Sequence, residues 1–158
     1  MESLSESIQA AMRSSFPPPP AVKTARDIMV AEGLITFRPE QRVSEVIKKM
    51  IDSRISGAPV VGDGRRIVGV ISEFDCMRVI AAGAYEGDPI DGDRTVAELM
   101  SRDITTIPPH LNVYGIAHMF MTRGLRRLPV VEGGEVLGQV SRRDVLKAID
   151  GLLSKRAA

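Results

Sequence analysis

The sequence predicts an α/β (α+β) fold made of two pseudo-symmetric β-α-β-β-α repeats packed sheet to sheet. Three observations carry that expectation: internal repetition, a matched helical periodicity in each copy, and paired β-branched runs across glycine-rich turns. Pro39 and Pro109, Val43 and Val113, and Pro59 and Pro129 are each 70 positions apart, a self-similarity that takes precedence over any local motif. Further on, Gly69 and Gly138, Ser72 and Ser141, and Asp75 and Asp144 are 69 apart. One residue has therefore been gained or lost around Gly64 to Arg66, where a loop tolerates it and a strand would turn its faces over. Asp27-Ile28-Met29 also matches Glu98-Leu99-Met100, which sets the repeats at 24–82 and 94–150, with a leader at 1–23, a linker at 83–93 and a tail at 151–158.

In the leader, a polar stretch from Glu2 to about Ser14 has some helical potential, and Pro17 to Pro20 follow as a stiff polyproline II spacer. It reads either as a mobile tail or as a short helix that docks on a neighbour. In the first repeat Val43, Val46, Ile47, Met50 and Ile51 form the apolar stripe of an amphipathic helix, and Val113, Ile116, Ala117, Phe120 and Met121 repeat it behind the helix cap Asn112. Short apolar strands follow, Ala58 to Val61 and Leu128 to Val131, then the turns Gly62-Asp63-Gly64 and Glu132-Gly133-Gly134. The runs Ile67 to Ile71 and Val136 to Val140 pair antiparallel across those turns. A last helix opens at Ser72 or Ser141, with Asp75 or Asp144 three residues on, the spacing of a capping box. The linker Gly83 to Asp93, with three glycines, a proline and four Asp or Glu after Tyr85, reads as a connecting loop.

At 158 residues the chain is long enough for one ordinary domain, yet neither repeat reaches about 60 residues, so each needs the other to cover its open sheet face. The composition, 44% hydrophobic and 26% charged, is that of a globular protein, with no apolar run near the roughly 20 residues of a membrane helix. Twenty-one Lys and Arg against twenty Asp and Glu leave a net charge of +1, so any anion site has to be local. The single cysteine, Cys76, excludes an internal disulfide, and the opening residues carry no charged-then-apolar signal, so a cytoplasmic protein is expected.

The Ala58-Pro59-Val60-Val61 and Leu128-Pro129-Val130-Val131 strands, the Gly-x-x-Ser-x-x-Asp closures and the methionines Met29 and Met100 opening each unit resemble a tandem pair of CBS (cystathionine β-synthase) domains, a Bateman module. The resemblance covers about Thr24 to Ile149. It implies two clefts between the repeats that bind adenine nucleotides such as AMP or ATP, or S-adenosylmethionine, and a disc-shaped homodimer. By the same resemblance Asp75 and Asp144 accept hydrogen bonds from ribose hydroxyls, while Ser72 and Ser141, replacing the more usual threonine, face phosphate at a helix N-terminus. A capping box with no other role is the alternative for each Ser-Asp pair.

Arg126 and Arg127, just before Leu128 and Pro129, stand where the resemblance places phosphate-binding cations, a role that suits forked guanidinium donors. Arg142 and Arg143 add charge beside Asp144, and the resemblance lets Arg143 serve the other cleft. A solvated basic face, or ion pairs with the acidic linker, is the competing explanation. The first repeat has Ser56-Gly57 at the Arg126-Arg127 positions, so two unequal sites are expected, the Asp144 site being tighter for a charged nucleotide. Ile35 and Thr36 in the first repeat, Thr105, Thr106 and Ile107 in the second, and backbone at Ala58, Pro59 and Leu128 are the expected base-binding positions. Apolar residues at strand ends are also ordinary core residues.

No catalytic constellation is visible. His118 aligns with Lys48 on the polar side of its helix, His110 has no evident partner, and neither a Walker loop nor a GxGxxG motif occurs. Cys76 reads as structural, because the neighbouring Asp75 opposes thiolate formation. No metal and no required cofactor is expected. The resulting expectation is a non-catalytic adenine-nucleotide sensor that signals through dimer shape or docking to an unidentified protein target. The alternatives are a ligand-independent dimerisation or docking protein and an S-adenosylmethionine-binding pair. The neutral net charge and scarce aromatics oppose nucleic-acid binding.

Overall fold

A computed structural model describes residues 22–86 and 92–157. The expected leader helix and polyproline spacer, and residues 87–91 of the expected linker, lie outside the described residues; residues 83–86, expected as connecting loop, instead continue the helix that starts at Glu73. In chain order the elements are α1 (Ala25–Ile28), α2 (Val43–Ser53), β1 (Gly57–Val61), a 3-10 turn (Asp63–Arg65), β2 (Ile67–Ser72), α3 (Glu73–Glu86), α4 (Val96–Leu99), α5 (Val113–Arg123), β3 (Arg127–Glu132), β4 (Glu135–Ser141) and α6 (Arg142–Arg156). β1 pairs with β2 and β3 with β4, giving two small sheets with helices, as the fold class requires. The expected opening strand of each repeat is reduced to one parallel bridge, Phe37 to Val60 and Ile107 to Val130.

The stripes read from the sequence bury as a period of 3.6 demands. Val43, Val46 and Met50 are buried on α2, and Val113, Ile116 and Phe120 on α5. Ile51 and Met121, the outermost member of each stripe, are exposed instead. Both helices end in a left-handed residue, Arg54 at φ 53° and Gly124 at φ 63°. Glycine takes that conformation without a Cβ clash; arginine does not.

The irregularity of the first hairpin is not confined to its turn, which corrects the expected placement of the extra residue. Val60 pairs with Gly69 but Val61 pairs with Ile67, so the ladder slips at Val68. A β-bulge absorbs one residue in this way without reversing the faces of the rest of the strand.

The chain folds into two compact units that do not follow the order of the repeats. The Asp144 unit joins the described residues up to Ala31 with Thr106–Val130 and Leu137 onward; the Asp75 unit joins Glu32–Thr105 with Val131–Val136. The opening segment of each repeat thus packs with the body of the other. Ala25 is buried with Ile107, Ile116, Leu128 and Val140, whereas Val96 and Leu99 are buried with Phe37, Val46, Val60 and Ile71. Each crossing segment is held by a reciprocal pair of backbone bonds. Val30 N–H donates to Gln139 O at 2.9 Å and Gln139 N–H to Val30 O at 3.0 Å; Val70 and Ser101 exchange the same pair at 2.9 Å each.

This close approach explains why glycine recurs at 69 and 138. A Cβ on Gly138 would lie 2.8 Å from Val30 O and 2.8 Å from Met29 Sδ, and one on Gly69 would lie 2.9 Å from Ser101 O and 2.6 Å from Met100 Sδ. Gly138→Ala should therefore destabilise the fold by roughly 1–3 kcal/mol, as overpacking does. Gly151→Ala, in α6 with no atom within 4 Å of its Cβ position, should stabilise by about 0.5–1 kcal/mol through helix propensity. Urea unfolding of the two variants checks both signs.

Asp27 closes a capping box on α1: its Oδ2 accepts Thr24 N–H at 2.8 Å and the Thr24 hydroxyl at 3.1 Å. The bond from Thr24 backbone, then that from its side chain, holds the Asp27 carboxyl below its ordinary 3.8. A depressed folded value stabilises the native state above the unfolded pKa and loses that contribution as pH falls through the folded one. Asp27→Asn should therefore lower Tm at pH 7, by an amount that shrinks as pH falls below the unfolded carboxyl's ordinary range, as thermal melts across the acid range would record.

Candidate functional site

The expected site residues fall into two equivalent sets built by the same backbone bonds, and all but Thr105, which is grouped with the Asp75 unit, lie in the unit of their own carboxylate. In the Asp144 unit, Ile107 N–H donates to Pro129 O at 3.0 Å and Arg142 N–H to Arg126 O at 3.4 Å. These bonds set the Thr106-Ile107 segment and the β4–α6 junction on either side of the start of β3. In the Asp75 unit, Phe37 N–H donates to Pro59 O at 3.0 Å and Glu73 N–H to Ser56 O at 2.9 Å, with the same result around β1.

At the two junctions the capping boxes form as the spacing predicts. Ser141 N–H and the Ser141 hydroxyl both donate to Asp144 Oδ2 at 2.8 Å, and Asp144 N–H returns a bond to Ser141 Oγ at 3.2 Å. Ser72 N–H and its hydroxyl donate to Asp75 Oδ2 at 2.9 and 3.0 Å, and Asp75 N–H donates to Ser72 Oγ at 3.3 Å. Each carboxylate is thus held by one oxygen at a helix N-terminus, and its other oxygen decides what it can do next.

Here the copies part. Asp75 is 7% exposed, the one buried charged residue among those described, and Arg78 Nη2 donates to its Oδ1 at 2.6 Å. Asp144 is half-buried, and among the described residues no hydrogen bond or ion pair reaches its Oδ1. Lys147, the counterpart of Arg78, makes no ion pair with Asp144.

Arg126 is exposed and Arg127 half-buried at the start of β3. Arg143 is exposed on the first turn of α6, in the unit of Asp144. Arg142 turns the other way, donating from Nε to Leu125 O at 2.6 Å, so its charge is spent on the loop before β3. The base-binding candidates divide by burial. Ile35, Thr36 and Thr105 are half-buried and Thr106 is exposed. Ile107, Ala58 and Leu128 are buried core side chains, and Pro59 and Pro129 are buried with carbonyls already bonded to Phe37 and Ile107. The side chains of these five are committed to the core, and the two prolines have no N–H to offer a ligand.

Arg78 is the candidate-site residue that motif reading missed: it contacts Asp75 directly. Its signal was the i, i+3 spacing from Asp75, which puts two side chains on one helix face. Cys76, by contrast, behaves as read: it is 5% exposed, and burial first, then the Asp75 charge, push its thiol up. Both histidines are exposed. Among the described residues no group of three His, Cys, Asp or Glu could hold a metal ion, and no helix is long and apolar enough to cross a membrane.

The CBS domain family model matches residues 25–82 and 96–151. The chain belongs to the CBS-domain family. Its sequence is 28% identical over 124 residues to the uncharacterized protein MJ1225 of Methanocaldococcus jannaschii, a match that takes in 78% of this chain and 42% of that protein's length. The CBS fold is shared with CBSX2, solved in complex with AMP, at a TM-score of 0.72 and 24% identity over 82% of this chain and 98% of that one. It is shared equally with the CBS domain pair of MJ0100, solved with 5′-methylthioadenosine and S-adenosyl-L-methionine, at 0.66 and 23% over 84% of this chain and 99% of that one.

The Cys76 thiol should react negligibly with an aromatic disulfide reagent at pH 8 in the native protein and fully in denaturant. A native rate matching the denatured one would remove Cys76 from the core.

Proposed function

We propose that the chain is a non-catalytic regulatory module that binds an adenosine-containing ligand, AMP, ADP or ATP, with the Asp144 set as its stronger position. The observation that carries this is the state of Asp144: one carboxylate oxygen is fixed by the cap and the other has no protein partner among the described residues, beside a strand that opens on Arg126 and Arg127. A fixed carboxylate with an open oxygen suits a pair of ribose hydroxyls, and the arginines suit a phosphate. The ligands of two proteins with the same fold, AMP in one and 5′-methylthioadenosine with S-adenosyl-L-methionine in the other, support the adenosyl class.

Signalling through a change of dimer shape or through docking to a target needs a ligand that prefers one state, because a ligand shifts an equilibrium only by its differential affinity. The homodimer is part of the proposal, supported by apolar side chains left exposed on the last helix of each repeat: Phe74, Met77 and Ile80 on α3, Leu146 and Leu153 on α6. A cytoplasmic location belongs to the same reading. Ligand-independent docking has one observation in its favour, the uncharged Ser56-Gly57 at the start of β1.

Calorimetric titration with AMP, ADP, ATP and S-adenosylmethionine is the test. Asp144→Asn keeps a cap acceptor but loses the charge, and should weaken nucleotide binding by roughly tenfold to a hundredfold, the cost of one or two charge-assisted bonds. Arg127→Ala should weaken AMP more than adenosine. Affinities unmoved by both substitutions would refute the site, and no heat or thermal shift with any of the four would refute the ligand class.

A further inference from the structure

We infer that Arg78 is a built-in competitor for the ribose position at Asp75, and that it sets the difference in ligand selection between the two repeats. The inference rests on the reading of Asp75 and Asp144 as ribose-binding carboxylates and adds the residue that disables one of them. The Asp75 carboxylate has protein donors on both oxygens: Oδ2 takes the Ser72 amide and hydroxyl, and Oδ1 takes Arg78 Nη2 at 2.6 Å. A ribose diol approaching that oxygen meets a charged donor already in place, and a neutral hydroxyl is the weaker partner for a carboxylate.

Arg78 is also held where it competes. Its guanidinium carbon lies 5.7 Å from the centre of the Phe74 ring, within range of a cation–π contact, while its side chain is 62% exposed. The pair is therefore a displaceable latch: the carboxylate is buried, the arginine is not, and release moves an exposed side chain without disturbing the core. The second repeat lacks each part. Arg143 stands where Phe74 does and Lys147 where Arg78 does, and Asp144 Oδ1 is left open among the described residues.

The experiment isolates Asp75 in an Asp144→Asn background and titrates adenosine, which carries no phosphate to attract arginine. Replacing Arg78 by Ala, or by Met to keep the aliphatic stem, should tighten adenosine binding roughly fivefold, the scale of a solvent-accessible ion pair. Raising the salt concentration should tighten it with Arg78 present and change nothing in Arg78→Ala, since only the ion pair is screened. Unchanged or weaker binding in both variants would overturn the inference, as would salt-insensitive binding with Arg78 in place. Adenosine binding to the parent protein through Asp144, with none at Asp75 in any variant, overturns the inference alone. Absence of adenosine binding in every form while AMP still binds the parent protein also overturns the inference alone; absence of binding by adenosine, AMP, ADP, ATP and S-adenosylmethionine alike overturns the proposed function together with it.

Discussion

Two pairs of backbone hydrogen bonds, each made across a glycine, hold the structure's organisation. Val30 with Gln139 and Val70 with Ser101 tie the opening segment of one repeat to the second strand of the other, and the bonds form because Gly138 and Gly69 present no Cβ. With those segments in place Ala25 completes one core, and Val96 and Leu99 complete the other. A repeat of fewer than about 60 residues is too small to bury a sufficient core alone. Exchange of opening segments supplies the missing side chains and makes folding of either repeat depend on the whole chain.

The capping box, a small hydroxyl followed three residues later by a carboxylate, occurs four times among the described residues and serves two purposes. Thr24 with Asp27 and Thr95 with Glu98 start one-turn helices, and both acids are exposed. Their work ends with satisfying the backbone donors of a helix start. Ser72 with Asp75 and Ser141 with Asp144 start the long helices α3 and α6 at a strand end, where the acid is withdrawn from solvent. Identical local chemistry therefore has different uses because burial differs, and burial is a property of the surrounding fold.

Divergence between the copies is concentrated around these two acids. Arg126 and Arg127 stand at the start of β3, bonded through Arg126 O to the first turn of the Asp144 helix, and the residue before the acid is Arg143; at Asp75 the same places hold Ser56, Gly57 and Phe74. Under the proposed function, charge density at one position and an aromatic ring with a latching arginine at the other would give a duplicated scaffold two selectivities. A neutral chain with a net charge of +1 can do this because the arginines are clustered in sequence and the sheets bring their strands to the helix starts.

Much of this was legible before any coordinates. The 70- and 69-residue spacings, the apolar stripes from Val43 and Val113, and the Ser-x-x-Asp closures determine the duplicated fold, because each reports a local period or cap that neighbouring residues decide among themselves. The family and the two candidate carboxylates follow from them. Tertiary structure alone decided the exchange of opening segments, since Met29 and Gly138 are far apart in sequence and only packing shows which hairpin a crossing segment meets. It also decided the bulge at Val68, the burial of Ile107 and the occupation of Asp75 by Arg78. Sequence spacing places two side chains on one helix face; whether a buried carboxylate is already satisfied depends on the three-dimensional partners that remain for its second oxygen.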